Sequence, residues 1–182
     1  GRIGRAGDWL AARGEKRIAL VSHSMGALMA NEYFDALPVH QAVRHESGWH
    51  ERVIETNNKG QFVYGVSQNP IPHFDVLLPD LVRAAPIGAI FEWRPNHEIM
   101  RIARRLRSDG GAALIIDYGH VRSDAGDTFQ AIARHAYADP LRNPGQADLT
   151  AHVDFQALAQ GAEDADARIH GVEVKAGIEL GA

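Results

Sequence analysis

Between Asn31 and Asp35 the chain reads Asn-Glu-Tyr-Phe-Asp, an amide, two carboxylates and an aromatic pair in five residues, and Pro38 closes the run. Such a cluster suits a polar pocket. Asp117 and Tyr118 form a second polar pair, directly after the apolar run Ala112–Ile116. In doubly wound sheets ligands sit beyond the carboxyl ends of the strands, so polar residues that immediately follow a buried strand are the first candidates for chemistry. Both places meet that condition, since Asn31 follows the apolar run Ala27–Ala30. A second reading of the first cluster stays open: Glu32 and Asp35 on the solvated face of a helix, Tyr33 and Phe34 on its buried face, and Pro38 as its stop.

Two other groupings carry weaker signals. Asp148, His152 and Asp154 suggest a metal cluster, but Asp154 fits better as the cap of a helix, so no metal is expected. His135 and His170 read as surface or internally satisfied histidines. Ser24, with Ser22 two residues before and Gly26 two after, sits in a run that resembles the nucleophile elbow of an α/β-hydrolase. That reading expects a strand ending near Val21, a tight turn at Ser24 and a helix running on through Ala36. Its base and acid would have to come later in the chain, where histidines such as His120 and Asp117 are available without a hydrolase setting.

The elements that must position these residues follow from periodicity. Ile3, Ala6 and Leu10 predict a short helix ended by Gly14. Residues 42 to 68 alternate as short β segments, with Glu46-Ser47-Gly48 and Asn57-Asn58-Lys59-Gly60 as turns, and predict a three-stranded meander. Ala89–Glu92 is a further strand candidate. Ile99, Ile102, Ala103 and Leu106 recur at i, i+3, i+4 and i+7 and predict an amphipathic helix with a basic outer face, closed by Gly110-Gly111. Ala112–Ile116 is apolar on both alternating faces, which predicts a central parallel strand covered on both sides. Asp154 caps a helix that carries Phe155, Leu158, Ala159 and Ala162 on one face, with Val153 and Leu158 as a hydrophobic staple.

Composition narrows the classes. At 182 residues the chain holds one sizeable core rather than two full α/β enzymes, and its formal net charge of −4 offers no basic field for nucleic acid or an anionic membrane. Zero cysteines exclude disulfides, thiol nucleophiles and thiolate metal sites. No apolar run approaches the roughly 20 residues that span a bilayer, so no membrane insertion is expected. Gly1-Arg2-Ile3-Gly4-Arg5 lacks an initiator methionine and reads as a cut end.

Taken with Ala112–Gly119 and Asp148–Phe155, the run Ala30–Val39 resembles the MidA family of S-adenosylmethionine-dependent methyltransferases over about residues 30 to 175. The resemblance implies an α/β fold, a partial Rossmann-like class I methyltransferase sheet with residues 42 to 68 as a β-meander insertion covering the substrate side. It implies S-adenosylmethionine as cofactor and a protein arginine as methyl acceptor, on a substrate that is a respiratory complex subunit in mitochondrial members. By the same resemblance Glu32 and Asp35 are catalytic, orienting the guanidinium between paired acceptors. Asn31 and Phe34 are then substrate-binding, and Asp117 and Tyr118 cofactor-binding. The protein would work in the cytoplasm, or in the mitochondrial matrix of a eukaryote. The family's Gly-Pro-Gly-x-Gly turn has no counterpart here, and Gly1, Gly4 and Gly7 follow no strand. Residues 1 to 30 are therefore expected to be a separate hydrolase-like segment, from truncation or fusion, and residues 31 to 182 the C-terminal part of a methyltransferase domain. Without that turn, cofactor affinity is expected to be no tighter than roughly millimolar. The alternatives are a serine hydrolase using Ser24 and a non-catalytic assembly factor on a degenerate methyltransferase scaffold.

Overall fold

Two apolar runs far apart in sequence meet as neighbours. In the computed structural model, which describes residues 21–23 and 27–172, β2 (Ala27–Asn31) pairs in parallel with β7 (Ala112–Ile116), in register from Ala27 opposite Ala112 to Asn31 opposite Ile116. On its other edge β2 pairs antiparallel with β1 (Val21–His23). This corrects the elbow reading. A nucleophile elbow needs a helix after the turn, whereas residues 27 to 31 form a strand with a ladder on each edge. Ser24 and the helix expected over residues 3 to 13 lie outside the described residues, as do Gly1, Gly4 and Gly7.

The expected meander is present and runs somewhat further at both ends. β3 (His40–His45), β4 (Gly48–Thr56) and β5 (Phe62–Pro70) pair antiparallel in sequence order. Asn57 makes the second turn: its Oδ1 accepts from the N–H groups of Lys59 at 2.9 Å and Gln61 at 3.0 Å, and Gly60 takes the left-handed position at φ 73°. β6 (Ile90–Trp93) joins beside β3, giving the order β5-β4-β3-β6. One face of this sheet is closed by α1 (Phe74–Leu77) and α2 (Asp80–Arg83), whose Phe74 and Val82 join Ala42, Trp49, Leu78 and Phe91 in a core.

A second core lies under the parallel pair. The expected amphipathic helix is α3 (His97–Asp109), and its Ile99 and Ala103 are buried against Ala30, Phe34 and Val153. α4 (Phe155–Glu163) is capped as expected, the Asp154 carboxylate accepting from the Ala157 N–H at 3.0 Å. Gly161 lets α4 come close to α3, since a Cβ there would stand 2.9 Å from Ile99. β7 departs from expectation. Ile115 packs on the core, but Leu114 and Ile116 are 57% and 48% exposed, so among the described residues the strand is covered on one face only. That covered face is the one α3 packs on, and no other described helix contacts the strand closely.

Between the two helices run short strands that periodicity did not reveal. β8 (Gly119–His120) pairs in parallel with β12 (Val153–Asp154). β9 (Gln130–Ala133) is flanked by β10 (Ala136–Ala138) and β11 (Asp148–Thr150), both antiparallel to it. A Cβ on Gly119 would lie 2.0 Å from the Val153 carbonyl oxygen. Gly119→Ala is therefore expected to force β8 and β12 apart and cost about 1–3 kcal/mol, read as a lower urea midpoint with an unchanged slope. An unshifted midpoint would mean that the two strands separate freely.

Candidate active site

Where β2 and β7 end, the chain leaves the ladder and its N–H groups need new acceptors. Glu32 donates one last bond to the Ile116 carbonyl at 2.9 Å, then turns through φ 48°, a left-handed conformation unusual for a non-glycine residue. Asp117 takes the next three donors: its Oδ2 accepts from the backbone N–H groups of Tyr33 at 3.1 Å, Phe34 at 2.8 Å and Asp35 at 3.3 Å. Its Oδ1 accepts from the Tyr118 N–H at 2.9 Å. Burial holds the Asp117 carboxyl above its ordinary pKa, while these four N–H groups pull it the other way.

Arg94, immediately after β6, fastens the same loop from the other side. Its Nε donates to the Leu37 carbonyl at 3.2 Å, Nη1 to His152 O at 2.9 Å, and Nη2 to Asp35 O at 3.0 Å and Ala151 O at 2.8 Å. The rigid guanidinium fork suits four carbonyls better than a flexible ammonium would. Burial lowers its pKa, and the charges of Glu92, Asp117 and Asp35 oppose that. Sequence reasoning passed over Arg94. The available signal was a cation directly following an apolar strand, between Trp93 and Pro95, the same rule that singled out Asp117.

Asp35 is the residue these two braces present. It is 8% exposed, and its Oδ1 is buried with no hydrogen-bond partner among the described residues. Its pKa is raised to about 6, first by burial and then by the charge of Asp117, with the Ala36 N–H pulling it down, Glu32 raising it and Arg94 lowering it. It lines a cavity of about 520 Å³ whose sides are Ile54 and Tyr64 of the β4–β5 hairpin and, facing them, Phe129 and Leu149. A polar network that includes two lining residues, Gln41 and Arg52, fixes the wall. Arg52 pairs with Asp127 at 2.9 Å, bonds Gln41 at 3.2 Å, and lies 3.6 Å from the centroid of the Tyr64 ring. Glu92 accepts from Gln41, from the N–H groups of Thr128 and Phe129, and from the Thr128 hydroxyl.

The structure brings the two sequence clusters together, and gives their members different work. Asn31 and Glu32 are half-buried at the end of β2, outside the lining of that cavity. Phe34 is 2% exposed and edge-on to Tyr33 at 5.1 Å, so it anchors the loop in the core. Tyr118 is 66% exposed beside the strand ends. The solvated-helix reading of residues 31 to 35 does not hold, because their backbone donors go to β7 and Asp117. Asp154 serves as a helix cap, with His120 4.0 Å from its second oxygen.

Two outcomes are expected. Asp117→Ala orphans three part-buried N–H groups and should cost about 2–4 kcal/mol in chemical denaturation, with Asp117→Asn milder because its amide oxygen still accepts. Asp35 has a folded pKa of about 6 against an ordinary value of 3.8. The folded state thus binds more protons between those values, and stability present below about pH 4 is lost as pH rises through 6. Asp35→Asn should flatten the fall in stability between pH 4 and 7, by up to about 3 kcal/mol. An unaltered pH profile would show that Asp35 titrates normally.

Comparison with known proteins agrees with this geometry. Residues 6–173 match the family described as "Putative S-adenosyl-L-methionine-dependent methyltransferase". The chain is 38% identical over 146 residues to the mitochondrial protein arginine methyltransferase NDUFAF7 of Danio rerio, covering 79% of this chain and 34% of that protein. It is 34% identical over 155 residues to the Drosophila melanogaster homolog, covering 81% and 35%. It thus spans about a third of the length of the curated relatives it matches. Among solved structures, the S-adenosyl-homocysteine-bound crystal structure of a Burkholderia thailandensis protein superposes with a TM-score of 0.65 at 26% identity, over 81% of this chain and 39% of that one. The match of nearly the whole chain to the family model, with the parallel strands and the braced Asn-Glu-Tyr-Phe-Asp loop, makes this chain a member of the MidA-like S-adenosylmethionine-dependent methyltransferase family.

Proposed function

We propose that this chain provides the acceptor side of an S-adenosylmethionine-dependent methyltransferase whose substrate is an arginine on a protein. The observation that carries the reading is the Asp35 carboxylate, buried, without a partner on Oδ1 and bordering a 520 Å³ cavity. A buried acceptor without a donor calls for a ligand that brings one, and a guanidinium brings five in a planar fork. The relatives' description as protein arginine methyltransferases supports the same choice.

In this reading Asp35 holds and orients the guanidinium, and the charge of Glu32, outside the cavity lining, adds to the negative potential at Asp35. Methylation of an arginine nitrogen releases one proton, and the Asp35 carboxylate beside the acceptor is placed to take it. Asn31 positions the acceptor segment, and Phe34 does so indirectly by seating the loop. The donor set at the strand ends fits the cofactor in part: Tyr118 offers an exposed ring, and Asn31 and Glu32 offer polar atoms there. Asp117 contributes by shaping the loop, since its oxygens already accept from four N–H groups. When bound, S-adenosylmethionine supplies an electrophilic sulfonium methyl group. The chain forms part of a methyltransferase domain, since the family match begins at residue 6 and the strand Ala27–Asn31 is the middle of its parallel pair's sheet. A respiratory complex subunit is the protein substrate we favour, in the mitochondrial matrix if the source is eukaryotic and in the cytoplasm otherwise.

A fluorescence anisotropy titration with a short arginine peptide and its uncharged citrulline counterpart tests the acceptor. Arginine should bind at least about tenfold tighter, a difference near 1.4 kcal/mol, and Asp35→Asn should erase that preference. Equal affinity for both peptides in the unmodified protein would overturn the assignment.

A further inference from the structure

Four large apolar side chains from separate parts of the chain line the cavity that Asp35 borders. Ile54 and Tyr64 stand on one side, Phe129 and Leu149 on the other. They are far from buried: Ile54 is 58%, Leu149 44% and Tyr64 37% exposed, and Phe62 continues the hairpin row at 46%. Facing apolar surfaces left open to water are uncommon on a protein with no partner for them. The one cation on the hairpin wall, Arg52, is matched to Asp127 and stacked on Tyr64, so it stiffens the ring and offers no free charge. His40, Glu51 and the paired Arg52 also line the cavity, so the apolar side chains form a patch within a mixed wall.

We propose that this cleft is a specificity subsite, in which the segment of the protein substrate next to the target arginine inserts a large aliphatic or aromatic side chain between the β4–β5 hairpin and the Phe129–Leu149 wall. The proposal rests on the arginine reading of Asp35. It commits to that occupant because the walls are continuous with the floor that takes the guanidinium, so one segment fills both. The volume agrees: about 520 Å³ is more than one arginine side chain requires.

Anisotropy titrations with three labelled hexapeptides separate this subsite from the acceptor site. One carries arginine flanked by leucines, one arginine flanked by serines, and one citrulline flanked by leucines. The leucine-flanked arginine peptide is expected to bind at least about tenfold tighter than the serine-flanked one. In Ile54→Ser/Leu149→Ser, whose sites are largely exposed and tolerate polar side chains, that ratio should collapse towards one while the preference for arginine over citrulline remains. Thermal melting of the double variant checks that it is folded. Equal affinity for the leucine- and serine-flanked peptides, with arginine preference intact, would overturn the subsite and leave the arginine reading standing. So would a leucine preference that survives the double substitution. A leucine preference that needs Ile54 and Leu149 but ignores citrulline would support the walls and sink the arginine reading, and absence of binding by all three would sink both.

Discussion

The whole site depends on how one carboxylate satisfies backbone donors where two parallel strands part. A parallel ladder satisfies its N–H groups only as long as the strands run together. Past Asn31 and Ile116 they diverge, and a buried loop there would leave donors orphaned at a cost of about 1–3 kcal/mol each. Asp117 removes that cost with three bonds from a single oxygen. The geometry leaves the loop little choice. Its first residue, Glu32, is bent into a left-handed conformation, and its fourth, Asp35, is delivered to the floor of the cavity. Arg94 then closes the far side by gathering four carbonyls from two segments.

Asp35 and Asp117 show how environment divides labour between identical side chains. Asp35 is buried and Asp117 half-buried, but Asp117 accepts from four N–H groups while Asp35 keeps an oxygen without a partner among the described residues. The braced carboxylate is also part of what perturbs its neighbour, since the Asp117 charge follows burial among the causes that raise the Asp35 pKa. Structural and chemical roles are thereby coupled: the residue that builds the loop also tunes the residue the loop presents.

Much of this was legible in the chain because it is locally encoded. The 3.6-residue recurrence of Ile99, Ile102, Ala103 and Leu106, the Asx turn at Asn57 and the Asp154 cap each act within a few residues, and each appears in the structure as read. The polar residues after two buried runs located the site for the same reason. The failures are nonlocal. Ser24 sits in a run whose local pattern fits an elbow, but the residues after it are claimed by long-range pairing with β7. The half-covered face of β7 depends on what packs beside it, which its alternation does not encode. The strands β9, β10 and β11 are short and mixed in character, and exist through one another. Arg94 finds its role only when residues 35 to 37 and 151 to 152 converge on it.

The described residues form two hydrophobic cores that share no buried residue, one built on Phe34, Ile99 and Val153 and the other on Trp49, Phe74 and Phe91. A groove runs between them, lined by Phe34 and Ile99 on one bank and Phe74 and Phe91 on the other. Arg94 crosses that divide, rooted at the end of β6 and bonded to the loop that carries Asp35. Any shift of the four-stranded sheet against the other core would strain these hydrogen bonds, one of which ends on the carbonyl of the same residue whose carboxylate borders the cavity.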